Sequence, residues 1–324
     1  MAIVPSINEI RLMVKIAEMY HEQDLRQKEI ADLLGMHQTT VSRFLRRARE
    51  EKIARMTIAM PPGIFASLEK EIEGRFGLKQ VVVVDTQRDE EQTIRELGTA
   101  AAFLVETTVR PGAVIGISSW SRSLFAMVEA MHSTNCGRGG KVVQMMGGVG
   151  TSDTYQYATQ LVLKFANLIG AEPILLQAPG IVGSEQTQRV LCRDVTIRQT
   201  LDLYWQISFA IVGIGSMEPT PLLARSRNAF SLKDRREIQR RGAVGDICLR
   251  FYDRNGQLVK SGQNRRVIGI TLDTLLQVGQ VVGVASGLIK VPAILGALRS
   301  HRLHVLITDR VTAEKILASP RSPA

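Results

Sequence analysis

The chain has 324 residues, of which 45% are hydrophobic and 22% charged, and its formal net charge is +10. This composition is that of a globular protein with room for a large and a small domain, and it excludes a disordered or fibrous chain. No apolar run reaches the roughly 18 residues of a membrane span and the N-terminus is not that of a signal peptide, so we expect a cytoplasmic protein. The positive charge suits a polyanionic partner such as nucleic acid.

The three cysteines, Cys136, Cys192 and Cys248, lie far apart and form no Cys-x-x-Cys pair. The five histidines show no HExxH or other metal-ligand spacing, and neither a GxGxxG fingerprint nor a phosphate-binding GxxxxGK[ST] loop is present. We therefore expect no disulfide framework, no metal site and no nucleotide cofactor.

The N-terminal segment carries three short helical patterns. Residues 9–21 repeat apolar side chains with the helical period, a short helix follows around residues 30–34, and a third comes after it. Ala31 is small enough for two helix backbones to approach, Gly35 tolerates the positive φ of a turn, and Val41 anchors the third helix. This spacing is typical of the helix-turn-helix motif, whose second helix enters the major groove of DNA.

The outward face of the third helix is rich in groups that contact bases. The residues left on that face are Gln38, Thr39, Ser42, Arg43 and Arg46. Glutamine can pair with adenine, arginine with guanine, and the threonine methyl can touch the thymine methyl. We predict that this face reads bases and that Thr40, near the helix start, holds a phosphate. The alternative is a helical hairpin with a solvated basic face.

The segment after these helices predicts a domain boundary. Residues 53–60 alternate weakly, as a β-wing would, and the sequence Pro-Pro-Gly follows. We accordingly expect a helix-turn-helix DNA-binding domain at residues 1–60 and a larger effector domain at residues 78–324. The intervening residues 61–77 are interpreted as a linker with a short helix that could pair across a dimer.

From residue 81 onward, short apolar runs alternate with segments of helix length. The apolar runs are 81–84, 113–117, 142–146, 173–177, 209–215, 281–285 and 304–308. The helical segments are 91–107, 154–168, 286–299 and 310–318. Short strands buried on both sides and separated by helices predict an α/β domain with a doubly wound, mostly parallel sheet.

Ligands of such sheets bind beyond the carboxyl ends of the strands. Glycine-rich segments with Ser or Thr follow three of the predicted strands: GISSWSRS (116–123), GGVGT (147–151) and GIGSM (213–217). Free backbone N–H groups in such segments suit an anion, so the three together predict a phosphorylated ligand. Each segment alone is also common for purely structural reasons.

Two charged residues stand out in apolar surroundings. Asp246 directly follows a glycine, and Lys290 lies in the first turn of a predicted helix, where a cation is electrostatically unfavourable. The position of Lys290 is explained if the lysine and the helix N-terminus both face a bound anion; the alternative is a solvated surface lysine. The strongly basic run 225–241 is interpreted as a solvated loop and helix face, with a lid or subunit contact as the alternative.

These motifs together resemble the SorC family of sugar-responsive bacterial transcription regulators, from near residue 9 to about residue 318. The segments that carry the resemblance are QKEIADLLGMHQTTVSRFLRRAREEKI (27–53), GISSWSRS, GGVG, APGIV (178–182), VGIGS (212–216), GAVGDI (242–247), VASGLIKVPAILGAL (284–298) and VLITD (305–309). The resemblance implies an effector domain related in fold to sugar-phosphate isomerases, which binds a phosphorylated sugar or polyol.

The resemblance also implies which residues hold the ligand. The phosphate-holding loop corresponds to Ser121, Arg122 and Ser123, and the second loop to Gly147 and Gly148. Contacts to the ligand fall to Gln156, Asp246 and Lys290, and the strand-end glycines add Gly215. The chain has Ser121 and Ser123 where the family often has Gly and Thr, and Met146 where some members use arginine for a second phosphate. A monophosphate or an unphosphorylated polyol is therefore expected rather than a bisphosphate.

The sequence thus predicts a regulator, expected to be a repressor, that binds double-stranded operator DNA under the control of a sugar phosphate or polyol. It would serve a carbohydrate or polyol catabolic operon as a dimer or tetramer. An alternative is a sugar-phosphate isomerase or hydrolase with an appended DNA-binding module, with Asp246 and Lys290 as acid and base. The lack of a second carboxylate or histidine near the ligand loops weighs against it. A third alternative is a nucleoid-type basic protein that binds no ligand. It does not explain the glycine-rich loops after the predicted strands.

Overall fold

The computed structural model describes residues 6–51, 53–54, 61, 63–148, 152–218 and 231–320, without the side chains of 152–156 and 232. It divides into two compact units, Met1–Pro61 and Pro62–Ala324. None of the described helices is long and apolar enough to cross a lipid bilayer. The predicted β-wing lies almost entirely outside the described residues.

The N-terminal unit consists of three helices, α1 (Ile7–His21), α2 (Gln27–Leu34) and α3 (Gln38–Glu50). The start of α1 is fixed by Ser6, whose hydroxyl accepts from the Glu9 N–H at 3.2 Å while its own N–H donates to the Glu9 carboxylate at 2.9 Å. Gly35 ends α2 with φ +62°, as predicted for the turn. Ala31 and Val41 are buried in a common apolar core, which confirms the helical arrangement predicted from their spacing.

The larger unit is built on a seven-stranded sheet in the order β1-β10-β9-β5-β2-β3-β4, in which every pairing is parallel. Its strands are β1 (Gln80–Val84), β2 (Val114–Ile117), β3 (Lys141–Gln144), β4 (Glu172–Ile174), β5 (Phe209–Gly213), β9 (Gln280–Val284) and β10 (Val305–Asp309). Each of the seven predicted apolar runs forms one of these strands, so the predicted α/β fold is confirmed.

Helices cover both faces of this sheet. The described α-helices of the larger unit are α4 (Ala66–Phe76), α5 (Glu90–Thr108), α6 (Arg122–Ala130), α7 (Ser152–Ile169), α8 (Glu185–Leu191), α9 (Val195–Asp202), α10 (Leu232–Arg240), α11 (Gly262–Arg265), α12 (Leu272–Leu276), α13 (Val291–Arg299) and α14 (Arg310–Ala318). Successive residues of β5 alternate between two apolar clusters, with Val212 in one and Ile211 in the other. This alternation is the signature of a strand buried on both sides.

A second, three-stranded antiparallel sheet was not predicted. It consists of β6 (Gly215–Ser216), β7 (Ala243–Ile247) and β8 (Arg250–Asp253). The turn between β7 and β8 contains only Cys248 and Leu249, at φ +51° and +62°. Such two-residue turns usually contain Asn-Gly or Asp-Gly. Neither dipeptide is present at 248–249, so this hairpin could not be predicted from a turn signal.

The helix α4 belongs to the larger unit. Its residues Ile72 and Phe76 are buried in the apolar core of that unit. The carboxylates of Glu69 and Glu73 accept the N–H groups of Val83 at 2.9 Å and Val81 at 2.8 Å, which satisfies the open edge of β1. The apolar face of α4 is thus used within the chain, and pairing across a dimer stays a prediction.

Candidate effector site and DNA-reading surface

The predicted base-reading residues lie on the exposed side of α3. Val41, Phe44, Leu45 and Ala48 are buried, whereas Gln38, Thr39, Ser42, Arg43 and Arg46 are exposed and Thr40 is half-buried. This orientation follows from the helical period, since the two sets occupy opposite sides of one helix. The contacts of these residues with DNA stay a prediction.

The arginines of α3 have different surroundings. Arg47 lies 3.5 Å from the Glu9 carboxylate and 3.2 Å from that of Glu51, so it links α3 to α1. Arg46 has a single, largely solvated ion pair with Glu50 at 3.8 Å, and such pairs contribute little to stability. The Arg43 guanidinium lies over the Phe44 ring, 5.9 Å from its centroid. Arg43, Arg46 and Arg49 are exposed, so their charges are more accessible to DNA than that of Arg47.

A cavity of about 270 Å³ opens where the connections after β2 and β5 diverge. These strands are neighbours in the sheet, and the Ser118 hydroxyl accepts the Gly213 N–H at 2.9 Å across the gap. The chain runs from β2 to one side of the sheet and from β5 to the other, so the cavity lies at a topological switch point, where ligands of such sheets bind. Its wall is formed by Glu90, Ile94, Ser118, Trp120, Ser121, Arg122, Ser123, Met146, Gly213, Ile214, Gly215, Ser216, Glu218, Asp246, Cys248, Leu249, Ser286, Ile289 and Lys290.

The loop after β2 brings Ser121, Arg122 and Ser123 to the cavity at the N-terminus of α6. Ser121 caps this helix, its hydroxyl accepting the Leu124 N–H at 3.3 Å. A side chain at Gly213 would approach the Ser121 hydroxyl to 2.7 Å, so a glycine is needed for the close approach of the two loops. The positive end of α6 thereby faces the cavity, which suits a negatively charged group.

Arg122 is paired with two acidic residues that the sequence did not reveal. Its guanidinium contacts the Glu90 carboxylate at 3.1 Å and also forms an ion pair with Glu91, both in the first turn of α5. Acidic residues in a first helical turn have an ordinary structural explanation, because they interact favourably with the helix dipole. Their position opposite Arg122 is decided only by the packing of α5 against α6.

Asp246 lies on β7 directly opposite Gly215 of β6. One oxygen of its carboxylate accepts the Leu249 N–H at 2.9 Å. Burial raises the pKa of Asp246 to about 6, although the Leu249 N–H and the charges of Arg235 and Lys290 act in the opposite direction. The strand pairing thus explains why the small residue Gly215 and the acid reach the cavity together.

Lys290 reaches the cavity from the loop after β9. The loop turns at Gly287, with φ +101°, where the Gly287 N–H donates to the Thr312 hydroxyl at 2.8 Å and its carbonyl accepts the Lys290 N–H at 2.9 Å. The predicted helix starts later than expected, at Val291, so Lys290 is its capping residue. Burial lowers the pKa of Lys290, while the carboxylates of Glu90 and Asp246 raise it.

Among the described residues, the predicted Gly147 and Gly148 do not line this cavity. The N–H of Gly147 donates to the Ile268 carbonyl at 3.1 Å and that of Gly148 to the Ala178 carbonyl at 2.9 Å, so neither is free for an anion. A side chain at Gly147 would meet the Gly180 nitrogen at 2.7 Å, which explains this glycine by packing. Gln156 lies on α7, but its side chain is outside the described part.

Several residues of the cavity wall were missed. Ser118 and Trp120 lie inside the GISSWSRS segment, so that segment was a usable signal for them. Glu90 follows another strand. Arg235 of α10 is not part of the wall, but its charge acts to lower the pKa of Asp246. No spacing in the sequence links these last two residues to the cavity.

The structure removes one argument against an enzyme, the lack of a second carboxylate near the ligand loops. The sequence indicated no second carboxylate near the ligand loops, but Glu90 and Glu218 both lie in the wall beside Asp246 and Lys290. In the part of the chain that the structure describes, no group of three or more His, Cys, Asp and Glu side chains is arranged to hold a metal ion. The distinction between regulator and enzyme therefore depends on comparison with known proteins.

Residues 63–318 match the family model Sugar-bind, described as "Putative sugar-binding domain". The chain is 33% identical to the sorbitol operon regulator of Klebsiella pneumoniae over 316 residues, which cover 96% of this chain and 98% of the relative. The solved structure of that full-length regulator, SorC, superposes with a TM-score of 0.72 at 31% identity and covers 96% of this chain and 99% of its own. The chain belongs to the SorC family.

Another relative is the deoxyribonucleoside regulator of Bacillus subtilis, 28% identical over 308 residues, which cover 95% of this chain and 97% of the relative. As a SorC-family member with both units present, the protein is a transcriptional regulator with a sugar-binding domain. This confirms the regulator predicted from the sequence and gives no support to the enzyme alternative.

Proposed function

We propose that a sugar or polyol carrying at most one phosphate binds in the cavity and controls the binding of α3 to operator DNA. The observation that carries this proposal is that six of the predicted ligand residues line one cavity. They are Ser121, Arg122, Ser123, Gly215, Asp246 and Lys290. They come from four separate segments of the sequence, and they combine cationic groups, hydroxyls and a carboxylate around a space of about 270 Å³.

The chemistry of the wall suits a polyhydroxylated ligand. With a pKa of about 6, Asp246 is ionised near neutral pH and can accept hydrogen bonds from hydroxyl groups. Lys290 and the N-terminus of α6 offer positive potential for a phosphate or for hydroxyl oxygens. Trp120 and Ile289 add apolar surface for the C–H groups of the ligand.

The charge of the wall supports a ligand with little negative charge. Arg122 and Lys290 are the cations of the described wall, and they face the carboxylates of Glu90, Glu218 and Asp246. Met146, which is buried, places a thioether at the same wall. A second phosphate would meet carboxylates rather than free cations, so a monophosphate or an uncharged polyol is proposed.

At the level of transcription, we propose a repressor of a carbohydrate or polyol catabolic operon that acts as a dimer or tetramer without turning over its ligand. The names of two relatives, a sorbitol operon regulator and a deoxyribonucleoside regulator, support this class of target. A ligand that couples to DNA typically shifts affinity by about 1–3 kcal/mol. Dimeric helix-turn-helix proteins bind two DNA half-sites that lie about one helical turn apart, or a multiple of it.

A thermal-shift screen against hexitols, pentitols, deoxyribose and their monophosphates tests the proposal, since a specific ligand raises the melting temperature with its saturation. The compound that stabilises the protein is then added to a fluorescence-anisotropy titration with DNA from upstream of the gene. We expect it to weaken DNA binding. NMR of the same mixture should show the ligand unchanged, and its conversion would instead establish an enzyme.

A further inference from the structure

Most of the positive charge of this regulator lies outside its DNA-reading unit. Residues 1–61 contain ten basic and eight acidic residues, a net charge of +2, whereas residues 62–324 contain 31 and 23, a net charge of +8. Within the larger unit, residues 231–266 alone contain ten basic and four acidic residues, a net charge of +6. Residues 231–266 of the sugar-binding unit therefore contain most of the net positive charge that could attract a polyanionic partner.

This segment presents its charge on one face of α10. Lys233, Arg236 and Arg240 are exposed and occupy successive turns, so they form a continuous strip that we call the α10 basic face. Ile238, on the buried side, anchors the helix in the core of the unit. The strip spans eight residues of helix, about 10 Å along its axis.

The acidic residues of α10 do not neutralise this face. Asp234 accepts hydrogen bonds from Ser231 and from Gln263 and forms an ion pair with Arg266 at 3.3 Å. Glu237 likewise accepts from Gln263 at 3.0 Å and pairs with Arg241 at 2.9 Å. Both carboxylates are thus turned toward α11, away from the outer strip.

Within the described residues, no carboxylate lies within ion-pair distance of Lys233, Arg236 or Arg240. Like charges one turn apart destabilise an isolated helix. The Ser231–Asp234 capping box and the basic residues at the carboxyl end allow α10 to form in spite of this repulsion. A bound polyanion would relieve the repulsion, because it brings negative charge to the whole strip.

We propose that the α10 basic face contacts the phosphate backbone of DNA, as a second and sequence-independent DNA contact of this regulator. The inference rests on the proposed function in taking DNA as the partner. Duplex DNA carries one negative charge per about 1.7 Å of its axis, so a strip of three cations can meet several phosphates. Phosphate contacts add affinity and salt dependence without reading bases.

The test measures the affinity of the full-length protein for a mixed-sequence duplex at a series of salt concentrations. The variant replaces Lys233, Arg236 and Arg240 together by glutamine. Each lost phosphate contact makes the slope of log K against log salt shallower by about 0.9, so we expect a change of about two to three for this variant. Its ratio of affinities for operator and mixed-sequence DNA should not change.

The matched control replaces three exposed cations elsewhere on the same unit, Arg110, Arg138 and Lys315, by glutamine. It has the same net charge as the variant, and its salt slope should equal that of the wild type. An unchanged slope in the α10 variant overturns the inference. A change of oligomeric state in that variant, measured by sedimentation, also overturns it and assigns the face to a contact between copies. If the wild type binds no DNA, the proposed function itself fails.

Discussion

The two functional regions of this chain are built in opposite ways. The reading surface lies on a single helix, α3, and its residues are exposed because the helical period turns them away from the core. The cavity is assembled from loops after β2, β5 and β9 and from the β7 strand, and burial shifts the pKa values of both Asp246 and Lys290. The DNA-reading surface therefore depends on local structure, and the cavity depends on tertiary structure. Substitutions in α3 should change DNA binding without changing effector affinity, and substitutions in the cavity should do the reverse.

Lys290→Met should have the largest effect, and it should weaken effector binding without changing DNA binding. It removes the half-buried cation of the cavity. A charge-assisted hydrogen bond is worth about 1.5–3 kcal/mol, so effector affinity should fall about 10- to 150-fold. Isothermal titration calorimetry measures this loss, and DNA affinity without effector should match the wild type. Lys315→Met, at an exposed lysine, serves as the control. Full effector response in Lys290→Met would place the ligand elsewhere.

Two arginine variants of α3 test the DNA-reading surface. Arg43→Ala should lose about 1–3 kcal/mol of discrimination at one base pair, because a bidentate contact to a base is lost. Arg49→Ala should weaken binding to all duplexes alike, since it removes only charge near the backbone. Competition binding with single-base operator variants distinguishes the two, with Lys15→Ala as the control. Equal weakening of every duplex by Arg43→Ala would remove its base-reading role.

The pH dependence of effector binding should come from the cavity alone. The pKa of Asp246 is about 6, so its carboxylate is lost as the pH falls below 6, and an uncharged polyol should bind about tenfold more weakly at pH 5 than at pH 8. Asp246→Asn should give a flat profile. Calorimetry with an unphosphorylated ligand avoids titration of a phosphate. A pH profile that persists in Asp246→Asn would assign the titration to another group.

The raised pKa of Asp246 also determines how this residue makes the free energy of unfolding depend on pH. The pKa of Asp246 in the folded chain lies above its ordinary value of 3.8, so the folded state binds the extra proton between about pH 4 and 6. The contribution of this residue to the free energy of unfolding is therefore greater below pH 4 and is lost as the pH rises through 6. Denaturation of Asp246→Asn should show a smaller dependence on pH in this range.

The smallest effect is expected at the turn between α2 and α3. Gly35→Ala meets no atom within 4 Å, so only the left-handed φ of +62° opposes it, and the N-terminal unit should lose about 1 kcal/mol of stability. Effector affinity should stay the same. Gly213→Ala is the counterpart in the cavity, where the added methyl meets Ser121 at 2.7 Å and should weaken effector binding. Calorimetry and chemical denaturation of both variants measure this contrast.

By itself, the sequence determined the features whose physics is local. The helices α1, α2 and α3, the turn at Gly35 and the seven strands of the parallel sheet follow from apolar periodicity and from glycine at a position of positive φ. The side of α3 that faces outward follows in the same way. Each of these features depends on neighbours within a few turns or residues, so a single sequence contains the information.

Only the tertiary structure decided the composition of the cavity. Pairing of β6 with β7 places Gly215 beside Asp246, packing of α5 against α6 places Glu90 opposite Arg122, and the loop at Ile268 engages Gly147. The residues in each of these contacts are tens to more than a hundred positions apart. Long-range packing brings them together, and no periodic pattern in one sequence records which distant segments will meet.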